Sequence, residues 1–169
     1  MILGMTLSTF TIVHVVISVL GIVSGFVVIF GLLTGRRFDG WTAFFLATTV
    51  ATSVTGFFFP FHRLLPPHIV GIISLVILAA AIAARYAFHL AGKWRWIYVI
   101  SAVTAQYLNV FVLIVQAFQK VPALHAIAPK GSEPPVLITQ LVVIVVFVLM
   151  AIRATSRFRV ASLRTALSS

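Results

Sequence analysis

Residues 9–33 read TFTIVHVVISVLGIVSGFVVIFGLL, a run of about 25 residues that contains no Asp, Glu, Lys or Arg. An α-helix rises 1.5 Å per residue, so about 20 apolar residues cross a hydrocarbon core roughly 30 Å thick. The run is therefore predicted to be a membrane-spanning helix. It stops at residues 34–40, TGRRFDG, where two glycines interrupt the helix and Arg36 and Arg37 mark an aqueous side.

The rest of the chain has the same character. Of its 169 residues, 62% are hydrophobic and only 8% are charged, which is typical of a multi-pass membrane protein. The sequence predicts an all-α integral membrane protein, a compact bundle of five transmembrane helices in one domain of residues 1–155, followed by a basic cytoplasmic tail of residues 156–169. The predicted spans are residues 9–33, 41–59, 68–88, 96–118 and 136–152.

The positions of Lys and Arg predict how the bundle is oriented. Positive residues are enriched in the cytoplasmic connections of membrane proteins. Nine of the twelve fall on one predicted side and three, Arg63, Lys120 and Lys130, on the other. All three tryptophans also lie on the nine-residue side, at the level where indole rings prefer the headgroup zone. We therefore expect an outer N-terminus and a cytoplasmic C-terminus.

Two segments are expected to lie on the bilayer rather than across it. The outer loop of residues 119–135 has proline near both ends and room for a short interfacial helix. The segment from Arg153 onward alternates arginine with Phe158, Val160 and Leu163, a pattern suited to a leaflet of anionic lipids. The lipid bilayer is thus the expected partner, either alone or together with a second copy or a larger membrane complex.

The composition excludes several kinds of chemistry. Asp39 and Glu133 are the only acidic side chains, and they lie in loops on opposite predicted sides. Proton-coupled carriers need carboxylates inside the membrane, and paired-carboxylate hydrolysis needs two close together. The absence of cysteine excludes thiolate metal sites and cysteine nucleophiles. Basic residues sit at the ends of apolar runs rather than on a polar face, so no nucleic-acid partner is expected. We predict a non-enzymatic protein.

Polar side chains recur at one predicted depth in the outer half of the bilayer. His14 lies about five residues into the first span, roughly 7 Å below its outer boundary. Gln116 and Gln140 reach a similar depth, and His68 opens the third span just above them. Asn109 shares a helical face with Gln116 and is assigned to the same layer. The sequence predicts an outer-leaflet layer of His and Gln side chains that crosses several helices.

Small residues lead away from this layer along the first span. Ser18, Gly21 and Gly25 fall within about 60° of His14 at 100° per residue. Such a stripe allows another helix, or a flat cofactor, to approach the backbone closely.

The polar layer permits several interpretations. Its side chains could hydrogen-bond between helices in an accessory or lipid-associated subunit. His14 and His68 could instead bind haem b axially, with Arg63 at a propionate, in a small electron-transfer protein. Three histidines, His14, His62 and His68, could hold a metal ion. A quinone, a lipid headgroup or the path of a small-solute carrier or channel would also use such polar faces.

The stretch FDGWTAFFLATTVATSVTGFFFPFHRLLPPHIVGIISL, Phe38 to Leu75, resembles a run found in small polytopic inner-membrane proteins of rhizobial-type bacteria. This resemblance implies a multi-span helical fold in a bacterial inner (plasma) membrane and no particular activity, because the group has no established one. His14 and His68 give a fainter resemblance to compact b-type membrane cytochromes. The chain lacks the histidine pairs about 14 residues apart that two-haem helical cytochromes carry.

Overall fold

A computed structural model describes residues 2–60 and 66–167, and the elements in these two segments are all helical. They are α1 (Leu7–Thr34), α2 (Asp39–Gly56), α3 (Pro66–Ile82) with a π-helical turn (Ala83–Ala87) directly after it, α4 (Trp94–Lys120), α5 (Pro122–Ile127) and α6 (Pro134–Leu167). The predicted all-α class is confirmed.

Four segments in the described part of the chain are long and apolar enough to cross a membrane, which makes this a multi-pass membrane protein by length and composition. They are Leu7–Thr34, His68–Ala87, Trp94–Lys120 and Pro134–Phe158. Helix α2 is not among them, although its 18 residues are enough to cross. Its five threonines, one serine and Asp39 reduce its apolar character.

Helices α1 and α2 form an antiparallel hairpin around a tight glycine turn. Gly35 adopts a left-handed backbone with φ of 69°, and the N–H of Arg36 donates to the carbonyl of Gly31 over 2.8 Å. This pattern ends a helix while satisfying its last carbonyls, and it needs a residue without a Cβ penalty at the left-handed position. The chain then reverses, and Phe38 packs on Gly31 of α1.

The predicted stripe of small residues on α1 is where its neighbours approach most closely. A Cβ added at Gly21 would lie 3.4 Å from the hydroxyl oxygens of Thr48 and Thr49 on α2. At Gly25 it would lie 1.9 Å from Oε1 of Gln106 on α4. Glycine therefore lets α2 and α4 pack against the backbone of α1.

Burial is concentrated in α1 and α4. Within their most apolar windows 39% of residues are buried, against 22% for the His68–Ala87 segment and 11% for α6. Phe45 of α2 and Tyr98, Val99 and Val103 of α4 are among the most buried side chains of the core. Thus α4 is central, whereas most of the α6 surface is exposed.

The connections explain where the long helices end. Glycine and proline are absent from residues 136–167, so α6 continues as one helix past the predicted tail boundary to Leu167.

In the loop before α6, the Glu133 carboxylate accepts the N–H groups of Lys130 (2.8 Å) and Ser132 (3.0 Å). These bonds, Lys130 first, hold the pKa of Glu133 below its usual value, so the carboxylate stays charged beside the α6 N-terminus.

Candidate functional site

His14 is held by the C-terminal part of α2. Its Nδ1 lies 2.8 Å from Oγ1 of Thr55, and the Phe59 ring meets the imidazole edge-on at 5.1 Å. The Thr55 hydroxyl donates its own proton to the carbonyl of Ala51 at 2.7 Å. With the Thr55 proton on the Ala51 carbonyl, Thr55 accepts from His14, an arrangement that assigns the imidazole proton to Nδ1 and leaves Nε2 as an acceptor.

His68 lies near the same end of α2. It is in the first turn of α3, is only 7% exposed, and its ring is 5.8 Å from that of Phe57. Phe57 and Phe59 are two residues apart, so both histidines pack around the segment in which α2 ends. His62 and Arg63, the other residues proposed for a haem or metal site, lie outside the described residues. Within residues 2–60 and 66–167, no cluster of three or more potential metal ligands is found.

A second group of polar side chains fills the centre of the bundle. Gln106 is fully buried, and its Nε2 donates to the backbone carbonyl of Ile22 on α1 over 2.8 Å. Asn109 donates Nδ2 to Oγ1 of Thr49 on α2 at 3.2 Å and to Oε1 of Gln106 at 3.5 Å. This central cluster of Thr49, Gln106 and Asn109 links three helices.

Asn109 thus belongs to the central cluster rather than to the outer layer of glutamines. It is seven residues from Gln116 along α4, which is about 10 Å at 1.5 Å per residue. Polar groups consequently occupy two levels, whereas the sequence was interpreted as one layer. The sequence assigned Asn109 and Gln116 to one helical face, but a face repeats every turn and does not fix the depth at which partners meet.

The two outer glutamines are incompletely hydrogen-bonded. Gln140 of α6 donates Nε2 to the carbonyl of Phe111 on α4 at 3.1 Å. The Oε1 atoms of Gln116 and Gln140 are buried, and neither has a hydrogen-bond partner in the described part of the chain. Buried acceptors of this kind are commonly satisfied by an ordered water.

Thr49 was not among the polar residues to which the sequence pointed. Thr49 is fully buried and contacts both α1 and α4. A signal for it exists in the buried set Thr42, Phe45, Leu46 and Thr49, which follows the i, i+3, i+4, i+7 spacing of a core-facing helix stripe.

Comparisons with protein-family models, with curated proteins and with solved structures find no match to this chain.

Proposed function

We propose that this chain is a non-enzymatic protein of a bacterial inner membrane that acts as an accessory or lipid-associated subunit. It crosses the bilayer five times, with its N-terminus outside and its C-terminus in the cytoplasm. Its polar side chains hold the helices together, and its apolar outer faces contact lipid or a partner helix.

The proposal is carried by the contrast between the interior, where polar side chains are hydrogen-bonded to one another, and α6, whose apolar side chains are largely exposed. Gln106, Thr49 and Asn109 use their polar atoms on one another and on the α1 backbone. Side chains committed in this way pack helices together rather than line a path for a solute. By contrast, Leu141 is 63% exposed and Leu149 is 61% exposed on α6. Such faces are stable only against hydrocarbon or another protein.

The packing of α2 along α1 supports a fifth span. The two helices touch at three depths along the bundle. These contacts are between Thr55 and His14, between Thr48 and Gly21, and between Phe38 and Gly31. The helices therefore lie side by side over most of their length. At 1.5 Å per residue the 18 residues of α2 extend about 27 Å, close to the core thickness. We therefore expect α2, which runs beside a spanning helix over about 27 Å, to cross the bilayer as well.

Cysteine accessibility tests the five-span topology. The chain has no native cysteine, so single substitutions report one position each. In intact cells we expect a membrane-impermeant maleimide to label Pro60→Cys and Ser132→Cys but not Gly40→Cys, which should react only after the membrane is opened. Gly40 lies in the first turn of α2 and Pro60 follows the end of α2, so labelling of both from the same side would show that α2 does not cross.

Native mass spectrometry of the wild-type protein, extracted in mild detergent, tests the accessory or lipid-associated role. We expect masses above the 18.4 kDa monomer, increased by a second chain, by another membrane protein or by retained phospholipid. A bare monomer at 18.4 kDa would contradict the proposal.

A small haem-binding electron carrier is the second candidate, and the state of His14 favours it. Haem-ligating histidines commonly donate Nδ1–H to a neighbouring oxygen and bind iron through Nε2. The contact of His14 with Thr55 has this form. The same purified preparation decides the matter: Soret and α bands lost in His14→Ala and His68→Ala would establish haem, and a colourless protein without stoichiometric iron would exclude it.

A further inference from the structure

A basic cleft opens at the end of the bundle opposite His14. Its polar lining comes from Arg36 and Arg37 in the α1–α2 turn, Thr42 on α2, Arg85 in the π-helical turn and Tyr98 on α4. The cleft is shallow and partly open to solvent, and its enclosed part has room for about one water molecule. Three guanidinium groups thus border one small space.

Only one carboxylate compensates these charges. Asp39 forms an ion pair with Nη2 of Arg85. Glu133, the other acidic side chain of the sequence, precedes α6 in a different loop. With three arginines against Asp39, the cleft carries a net charge of about +2.

Arg85 is unusually placed for a charged side chain. Only 10% of its side chain is exposed, whereas 74% of the Asp39 side chain is. Its guanidinium lies 5.4 Å from the Tyr98 ring centroid and 5.6 Å from that of Tyr86, both cation–π distances. A π-helical turn interrupts the regular helix at this residue, and such turns are frequent at functional sites. A buried arginine in a membrane helix is costly unless an anion compensates it.

Neutral donors line the same space. The Tyr98 hydroxyl lies 3.5 Å from Oγ1 of Thr42, so two hydroxyl groups stand beside the arginines. The Arg37 guanidinium is 5.7 Å from the Phe158 ring, which fixes it at the edge of the cleft. Planar guanidinium groups bind the oxygens of a phosphate through paired hydrogen bonds, and the neighbouring hydroxyl groups can supply further contacts.

The flanking tryptophans place the cleft at the level of lipid headgroups. Trp41 and Trp96 are each 48% exposed, and they lie near the starts of α2 and α4, one residue before Thr42 and two residues before Tyr98 of the cleft. Indole rings of this kind concentrate at the membrane–water interface. The phosphates of the cytoplasmic leaflet would then lie at the height of the cleft, given the orientation in the proposed function.

We propose that the cleft of Arg36, Arg37 and Arg85 binds a phosphate group, as presented by the headgroup of an anionic phospholipid or by free phosphate. The proposal rests on the orientation and lipid association proposed above. Arg85 forms the buried base of the site, and Arg36 and Arg37 close over the anion from the turn. Asp39 competes with the phosphate for Arg85.

The test uses the full chain in nanodiscs that contain equal amounts of phosphatidylglycerol and phosphatidylcholine, with retained lipid counted by native mass spectrometry. The double variant Arg36→Gln/Arg37→Gln is expected to lose about tenfold in retained phosphatidylglycerol, because it removes two charge-assisted contacts. The control Arg153→Gln/Arg157→Gln removes the same charge from exposed positions outside the cleft and should lose no more than about twofold. Equal losses in the two double variants, or no loss in either, would overturn the proposal.

Asp39→Asn supplies a gain-of-binding arm that an unfolded variant could not produce. Removing the competing carboxylate should raise phosphatidylglycerol retention about threefold to tenfold if Arg85 contacts the phosphate. If Asp39→Asn instead retains less phosphatidylglycerol while its circular dichroism is unchanged, the pair of Asp39 and Arg85 only stabilises the fold and does not bind the phosphate.

Competition distinguishes the two sources of phosphate. Inorganic phosphate that displaces the lipid at constant ionic strength identifies free phosphate as a ligand, whereas retained lipid identifies the phospholipid. A wild-type chain that retains neither lipid nor partner would contradict the proposed function itself. If the wild-type chain retains lipid and both double variants lose it equally, only the assignment of the phosphate site to the cleft is contradicted.

Discussion

Replacing Gly25 by alanine is expected to destabilise the bundle by about 2 kcal/mol, the range found when a methyl group is forced into a close-packed core. The new Cβ would lie 1.9 Å from Oε1 of Gln106 and 2.8 Å from Cε2 of Phe45. Both neighbours are almost fully buried, at 0% and 1% exposure, so neither has free space to enter. Gln106 could move only by breaking its bond to the carbonyl of Ile22.

Gly21→Ala is the matched control on the same face of α1. Its Cβ would meet the Thr48 and Thr49 hydroxyl oxygens at 3.4 Å, so small shifts accommodate it. Alanine also favours a helix over glycine by roughly 0.5–1 kcal/mol, which should leave this variant close to wild type. Thermal unfolding in detergent, followed by circular dichroism, measures both. Equal unfolding midpoints for Gly25→Ala and Gly21→Ala would show that Gln106 does not pack against Gly25.

The small-residue stripe shows how much of the fold the sequence predicts. Apolar runs identify the helices because the bilayer imposes both length and composition, and glycines one turn apart indicate where a helix can be approached. The assignment of Gln106 as the group that rests on Gly25 is different. It requires the order and depth of α1 and α4, which are separated by 84 residues between Ile22 and Gln106.

The basic cleft could not be predicted from the sequence either, because it too depends on how helices distant in sequence pack together. The sequence assigned Arg36, Arg37 and Arg85 to one predicted side, but only as orienting charges; that they line one cleft comes from the structure. The ion pair of Arg85 with Asp39 spans 46 residues and depends on the π-helical turn, which a hydropathy pattern does not register. Periodicity predicts faces and levels, whereas contacts between faces come from packing.

Gln106→Leu should cost about 1–2 kcal/mol, whereas Gln116→Leu on the same helix should leave stability unchanged or raise it. Leucine at position 106 abolishes the bond to the Ile22 carbonyl and removes the oxygen that faces Asn109, a half-buried side chain that keeps its bond to Thr49. At position 116 the lost Oε1 has no hydrogen-bond partner in the described part of the chain. Removing an unpaired buried acceptor relieves a desolvation cost instead of breaking a bond.

A double-mutant cycle tests whether Gln106 and Gly25 act on each other. Shortening the glutamine in Gln106→Ala empties the space that the alanine Cβ at position 25 would enter. Gly25→Ala should therefore cost at least about 1 kcal/mol less in the Gln106→Ala background than in wild type, a coupling typical of residues in contact. The cycle is measured by the same thermal unfolding experiment. If the stability effects of the two substitutions simply add, α1 and α4 meet elsewhere. Two side chains that compete for the same space cannot have independent effects on stability.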